Sequence, residues 1–139
     1  MSARSKARKR ALDALYAAEL AKREPAQVLA ETLATVADRQ NQEAIFDYAE
    51  ALVNGYIANK SAIDAQLLAL SDGWSLERMP ALDRNLLRLG AWEIMHNPEV
   101  PNEVAISEAV ALASEYSTDD SPKFINGVLA RLAKATQAL

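Results

Sequence analysis

The stretch Thr118-Asp119-Asp120-Ser121-Pro122-Lys123-Phe124-Ile125-Asn126-Gly127-Val128-Leu129 decides how this chain is read. Ser121 followed by Pro122 marks a helix start, because a serine oxygen caps free amides and proline at the first helical position gives up no needed hydrogen bond. Asp119 and Asp120 add negative charge at the positive end of the helix dipole. Beyond them Ile125, Val128, Leu129 and Leu132 recur at helical spacing and form one buried stripe. At about 100° per residue, Phe124 and Asn126 fall on opposite flanks of that stripe and Gly127 points away from it. An outward glycine costs a helix about 1 kcal/mol against alanine. Something is therefore expected to approach this helix end: a phosphate, a base or a partner's backbone. The bland alternatives are a tolerated defect and a turn at Asn126-Gly127. The lysine, aromatic and asparagine side by side favour the functional reading.

Working outward, the same periodicity predicts helices throughout. The first runs from about Ala3 to Lys22, with Ala7, Ala11, Ala14, Leu15 and Ala18 as a narrow face of mostly small residues. Tyr16 lies about 20° around from Lys9, off that face, with Lys6 on the same side. Pro25 opens a second helix with the stripe Val28, Leu29, Leu33 and Val36, and the polar run Asp38 to Gln42 ends it. The third is the clearest: Ile45, Tyr48, Ala49, Leu52, Val53, Tyr56 and Ile57 make a central core helix in which the tyrosines are packing residues. Ser61-x-x-Asp64 resembles a capping box and opens a short fourth helix, closed by Ser71-Asp72-Gly73.

The second half begins at Trp74. Ser75 is expected to cap a turn through Arg78, Pro80 to begin a fifth helix carrying Leu82, Leu86, Leu89 and Glu93, and Asn102 to cap a sixth. The expectation is an all-α chain of seven helices, four before Gly73 and three after. The halves, about 1–72 and 73–139, lack any linker long enough to separate them, so residues 1–139 read as one domain.

Composition agrees with this and narrows the function. Of 139 residues half are apolar, and glycine and proline are scarce, a balance that favours helices. There is no cysteine, hence no disulfide framework, thiol nucleophile or thiolate metal site, and a reducing cytoplasm is the expected location. The first ten residues hold Arg4, Lys6, Arg8, Lys9 and Arg10 and no acid, while the remainder holds ten basic residues against 19 acidic ones. A basic arm on an acidic body points to nucleic acid at one end and a basic protein elsewhere. Cations beside the exposed Tyr16 suit single-stranded RNA, whose phosphates meet the charges while its bases stack on rings. The alternative is a solvated helix end with Tyr16 packed on a neighbour. Asp13 and Glu19 interrupt any signal-peptide core, and no run of apolar residues is long enough to span a membrane.

Catalytic chemistry is not expected. His96, the single histidine, stands at a helix end where it caps carbonyls. The motifs of zinc proteases, serine hydrolases and phosphate loops are missing. Asp119-Asp120 reads as a cap rather than a magnesium site. Asp83 beside Arg84 and Arg88 reads as a surface ion-pair network. No cofactor and no metal are expected.

The run Trp74-Ser75-Leu76-Glu77-Arg78-Met79-Pro80-Ala81-Leu82-Asp83-Arg84-Asn85-Leu86-Leu87-Arg88-Leu89-Gly90-Ala91-Trp92-Glu93-Ile94 is similar to a stretch of the NusB family of bacterial transcription antitermination factors. Val100-Pro101 through Ala105-Ile106-Ser107-Glu108-Ala109-Val110 continues the likeness, with Ser107 where the family often has Asn. The run from Asp120 to Leu129 completes it, and Ala7-Arg8-Lys9-Arg10-Ala11-Leu12-Asp13-Ala14-Leu15-Tyr16 resembles the family's opening helix. The resemblance implies an all-helical fold of two packed subdomains, acting in the antitermination complex of RNA polymerase. It implies binding of single-stranded boxA RNA in nascent ribosomal RNA together with the ribosomal protein NusE. It places Arg4, Lys6, Arg8, Tyr16, Lys123 and Phe124 toward RNA, to which the arm adds Lys9 and Arg10 and the helix flank Asn126. It places Asp83 and Asp120 at or near the NusE surface. Monomer and homodimer both stay open. Two other classes also stay open. One is the helical module that precedes the catalytic domain of ribosomal RNA cytosine-C5 methyltransferases, although no catalytic domain is expected after Leu139. The other is a purely protein-binding adaptor.

Overall fold

Ser2 starts the first helix, its hydroxyl accepting the Ser5 amide at 3.0 Å, and Lys22 ends it in the left-handed region at φ 55°. Between them lies α1, Ala3–Ala21. The computed structural model describes residues 2–36 and 42–137. Seven α-helices carry these residues, followed in chain order by α2 (Pro25–Val36), α3 (Gln42–Ala58), α4 (Lys60–Leu70), α5 (Ala81–His96), α6 (Asn102–Tyr116) and α7 (Ser121–Gln137). A single 3-10 turn, Leu76–Arg78, precedes α5. The architecture is the seven-helix all-α one that the periodicity predicts. The expected polar stop after α2 lies, apart from Gln42, outside the described residues.

The alanine face of α1 packs against α3, and α5 lies between that pair and the α6–α7 pair, touching α1, α3, α4, α6 and α7. One apolar cluster runs through all of them, from Ala7, Leu12 and Leu52 to Leu86, Ile125 and Leu129. Two glycines permit the closest helix approaches. A Cβ on Gly55 would lie 2.2 Å from Trp92 Nε1, and one on Gly90 would lie 2.7 Å from Leu129 Cδ1. Larger residues there would push α3 or α7 away from α5.

Several expected caps are not made. Ser61 lies inside α4, whose N-cap is Asn59 without a side-chain bond. Asp64 instead accepts from Tyr56 and Arg88. Asn102 is the first residue of α6 behind Pro101, and Ser75 makes no side-chain cap. Leu33, Ile57 and Val104, which share the apolar spacing, are exposed, because each stripe is wider than the surface its helix buries.

Candidate nucleic-acid interface

The basic arm is helical and docked. Ala7 is fully buried and Arg8 nearly so. The five cations do not share one face, because five positions within seven residues fan around a helix. The Arg4 guanidinium bonds Glu99 at 3.0 Å and sits 4.8 Å from the centre of the Tyr48 ring. The Lys9 ammonium reaches Asp13 at 2.7 Å and lies 4.5 Å from the centre of the Tyr116 ring. Arg10 turns to Phe46 at 5.5 Å. Lys6 is exposed. Neither Lys6 nor Arg10 has an ion-pair partner among the described residues. Tyr16 is exposed, two turns along from Lys9 on the same side.

Arg8 departs from the expected RNA-facing set. Its guanidinium makes a two-pronged pair with Glu93 of α5, Nε to Oε1 and Nη2 to Oε2 both at 2.9 Å, and Nη1 lies 3.3 Å from Glu108 of α6. Tyr48 of α3 donates its hydroxyl to the same Glu93, and Asn97 donates to that hydroxyl at 3.0 Å. Burial alone would lower the Arg8 pKa, but the bonded Glu93 carboxylate outweighs it and holds the value above that of an ordinary arginine. Burial first, and then the bond to Glu93, push the Tyr48 phenol up. Arg8 therefore positions α1 against α3, α5 and α6, and it offers no free charge to a phosphate.

The junction between α6 and α7 is held from beneath. Asp83, in the first turn of α5, is buried. Ser117 donates to its Oδ1 at 2.5 Å and Ser121 to its Oδ2 at 2.8 Å. Two corrections follow. Asp83 is not part of a surface ion-pair network, since Arg84 and Arg88 pair with Glu19 and Asp64 instead. Ser121 is the first residue of α7, not its cap; its oxygen accepts the Thr118 amide at 3.2 Å while its proton goes to Asp83. The carboxylate has captured the hydroxyl that the sequence reserves for the helix end. Asp119 and Asp120 stand exposed just before α7.

Phe124 and Lys123 project beyond this junction. Phe124 is half-buried and Lys123 exposed. Trp74 reaches Phe124 because Asp72 and Gly73 turn the chain sharply after α4, at φ 51° and 84°. Arg131 of α7 fixes the same corner by donating to the Leu70 carbonyl at 2.8 Å. The two rings lie 6.3 Å apart at 51°. With Arg78, Met79, Pro80, Thr118 and Asp120 they line a groove of about 440 Å³. Asn126 is exposed on the opposite flank, in a second groove between α6 and α7 with Ser107, Val110 and Pro122. Phe124 and Asn126 are thus not brought together. Among the described residues no group of three or more histidine, cysteine or acidic side chains stands close enough to hold a metal ion. No helix of the described residues is long and apolar enough to cross a membrane.

The sequence profile of the NusB family matches residues 5–134. The chain belongs to the NusB family. It is 49% identical to the transcription antitermination protein NusB of Clavibacter michiganensis subsp. michiganensis, over 99% of this chain and 100% of that one. It is 48% identical to that of Leifsonia xyli subsp. xyli, over 96% and 93%. Among solved structures it superposes on T. maritima NusB with a TM-score of 0.85 at 32% identity, covering 98% of this chain and 97% of that one. It superposes with a TM-score of 0.84 at 27% identity on a chain from a complex of the antitermination factors NusB and NusE with double-stranded RNA, covering 97% and 98%.

Within this NusB fold the sequence reading missed Trp74, Arg78 and Tyr116 as surface groups beside the expected RNA residues, and Glu93, Tyr48 and Glu108 as the partners of Arg8. Trp74 carried a signal, since it is a tryptophan next to a Ser-Asp-Gly turn. Glu93 carried another, as a carboxylate in the apolar register of α5.

Proposed function

We propose that this chain is a transcription antitermination factor that binds single-stranded boxA RNA of nascent ribosomal transcripts together with NusE. It would act in the cytoplasm, in the antitermination complex of RNA polymerase, by binding rather than by catalysis. Residues 1–139 serve as one binding domain whose halves, about 1–72 and 73–139, meet on α5. The observation that carries this reading is the surface around the α6–α7 junction. There Lys9 of α1 lies 4.5 Å from the centre of the Tyr116 ring at the end of α6, and exposed Lys123 and half-buried Phe124 stand in the first turn of α7. Cations interleaved with rings suit a single strand, which presents both phosphates and unstacked bases.

Arg4, Lys6, Lys9 and Arg10 then supply phosphate contacts. The exposed pairs to Glu99 and Asp13 exchange readily for phosphate, since such surface pairs are worth about 0–1 kcal/mol. Arg8 supports the RNA face from within. Asn126 joins it where the strand crosses the start of α7. Exposed Asp120 faces NusE, with Asp83 holding the loop that carries it. The acidic body favours encounter with a basic ribosomal protein. The test is a titration of boxA RNA against a scrambled control, with and without NusE. Preferential boxA binding that NusE strengthens is expected, and equal affinity for both RNAs would refute the reading.

A further inference from the structure

We infer that the groove between Trp74 and Phe124 takes one unpaired nucleobase of the bound RNA, with the adjoining phosphates on Arg78 and Lys123. The inference rests on the RNA-binding reading above and extends it to two residues outside the expected set. Trp74 leaves 54% of its surface to solvent, although its ring already leans on Phe124. A tilted pair of rings over buried Met79 and exposed Pro80 leaves open faces on which a planar apolar group stacks. Arg78 lines the same groove and Lys123 stands beside Phe124, both exposed and without an ion-pair partner among the described residues.

Charge decides the orientation of the occupant. Asp120 lies in the wall of the groove and disfavours a phosphate inside it, so the uncharged base enters and the charged backbone stays with the cations at the mouth. An exposed tryptophan leaning on Phe124, with two unpaired cations beside the pair, matches the bases and phosphates of a single strand, which favours RNA over a partner's side chain as the occupant.

The experiment uses a fluorescein-labelled single-stranded boxA RNA and the full chain. Trp74→Ala should weaken binding about five- to 150-fold while leaving the salt slope unchanged, because the ring carries no charge. Arg78→Gln should reduce the salt slope by about 0.7. In a Trp92→Phe background Trp74 is the only tryptophan, and its emission should be quenched as RNA saturates the protein. Unchanged affinity in Trp74→Ala together with unquenched emission overturns the inference while the wild type still binds. Loss of NusE capture with RNA affinity intact assigns the groove to protein and overturns it as well. A wild type that does not distinguish boxA from a scrambled strand refutes the RNA reading itself, and the inference falls with it.

Discussion

Replacing Arg8 with methionine separates a structural arginine from an RNA contact. The side chain has 5% of its surface exposed, and that of Glu93, its partner 85 positions away, has 2%. Methionine keeps the volume and removes the charge. Among the described residues Glu93 then keeps only the Tyr48 hydroxyl as a donor, and a buried carboxylate has lost its counter-charge. Breaking one side of such a pair costs about 3–5 kcal/mol, a large share of the roughly 5–15 kcal/mol that holds a domain together. At about 3–4 °C per kcal/mol for a chain of this length, the melting temperature should fall by about 10–20 °C. Urea unfolding followed by circular dichroism gives the same quantity. The loss should be nearly equal at low and high salt, because a buried pair is poorly screened. The double variant Arg8→Met/Glu93→Met should lose less than the two single variants added together, since neither charge is then stranded. A melting temperature within a degree or two of wild type, with RNA affinity sharply reduced, would refute this reasoning and return Arg8 to the RNA face.

Three further outcomes follow from the same structure. Phe124→Ala should cost RNA binding about 1–3 kcal/mol in a titration. Its melting curve should show less than the roughly 3–5 kcal/mol of a fully buried phenylalanine, because the ring is only half-buried. Gly127→Ala should raise stability by about 1 kcal/mol, since the new Cβ would meet only the tip of Arg131 at 3.5 Å; a loss of RNA or NusE binding in the same variant would show that a ligand comes close there. Burial alone would raise the Glu19 pKa, but its bond to Arg84 and the charge of Arg88 hold it below the ordinary 4.5. Its contribution is therefore present above the unfolded value and lost as pH falls through the folded one, so Glu19→Gln should flatten the acid limb of a stability-against-pH curve.

The helices were legible because burial on one face writes a 3.6-residue period into each segment. The stripe of α7 was readable residue by residue: Ile125, Val128, Leu129 and Leu132 are all buried. The polar interior was not legible. Arg8 and Glu93 satisfy each other across α1 and α5, and an isolated charge has no period. In one dimension Arg8 is indistinguishable from Lys6 and Lys9. Ala7 and Arg8 anchor the arm to the core, so deleting residues 1–10 would remove core as well as charge. Ser121 misled for a related reason. Its serine-proline context fits a cap, but the deciding group is Asp83, which is 38 positions earlier and buried beneath it.

The two buried carboxylates of α5 explain how one helix sets both parts of the surface. Asp83 and Glu93 stand ten residues apart, about 15 Å along the axis. Asp83 fixes Ser117 and Ser121, and through them the start of α7 with Lys123 and Phe124. Glu93 fixes Arg8, and through it the register of α1 with Lys6, Lys9 and Tyr16. Apolar packing alone would let either helix slide by small steps at little cost, because leucine and alanine faces are tolerant of such shifts. A two-pronged ion pair and a doubly bonded carboxylate are not, since a small displacement strands a buried charge. The spacing between the cations of α1 and the rings at the α7 start is thus held in the free protein, ready for RNA on the proposed reading. A strand that must reach both pays less to bind a surface already in place than one it has to assemble.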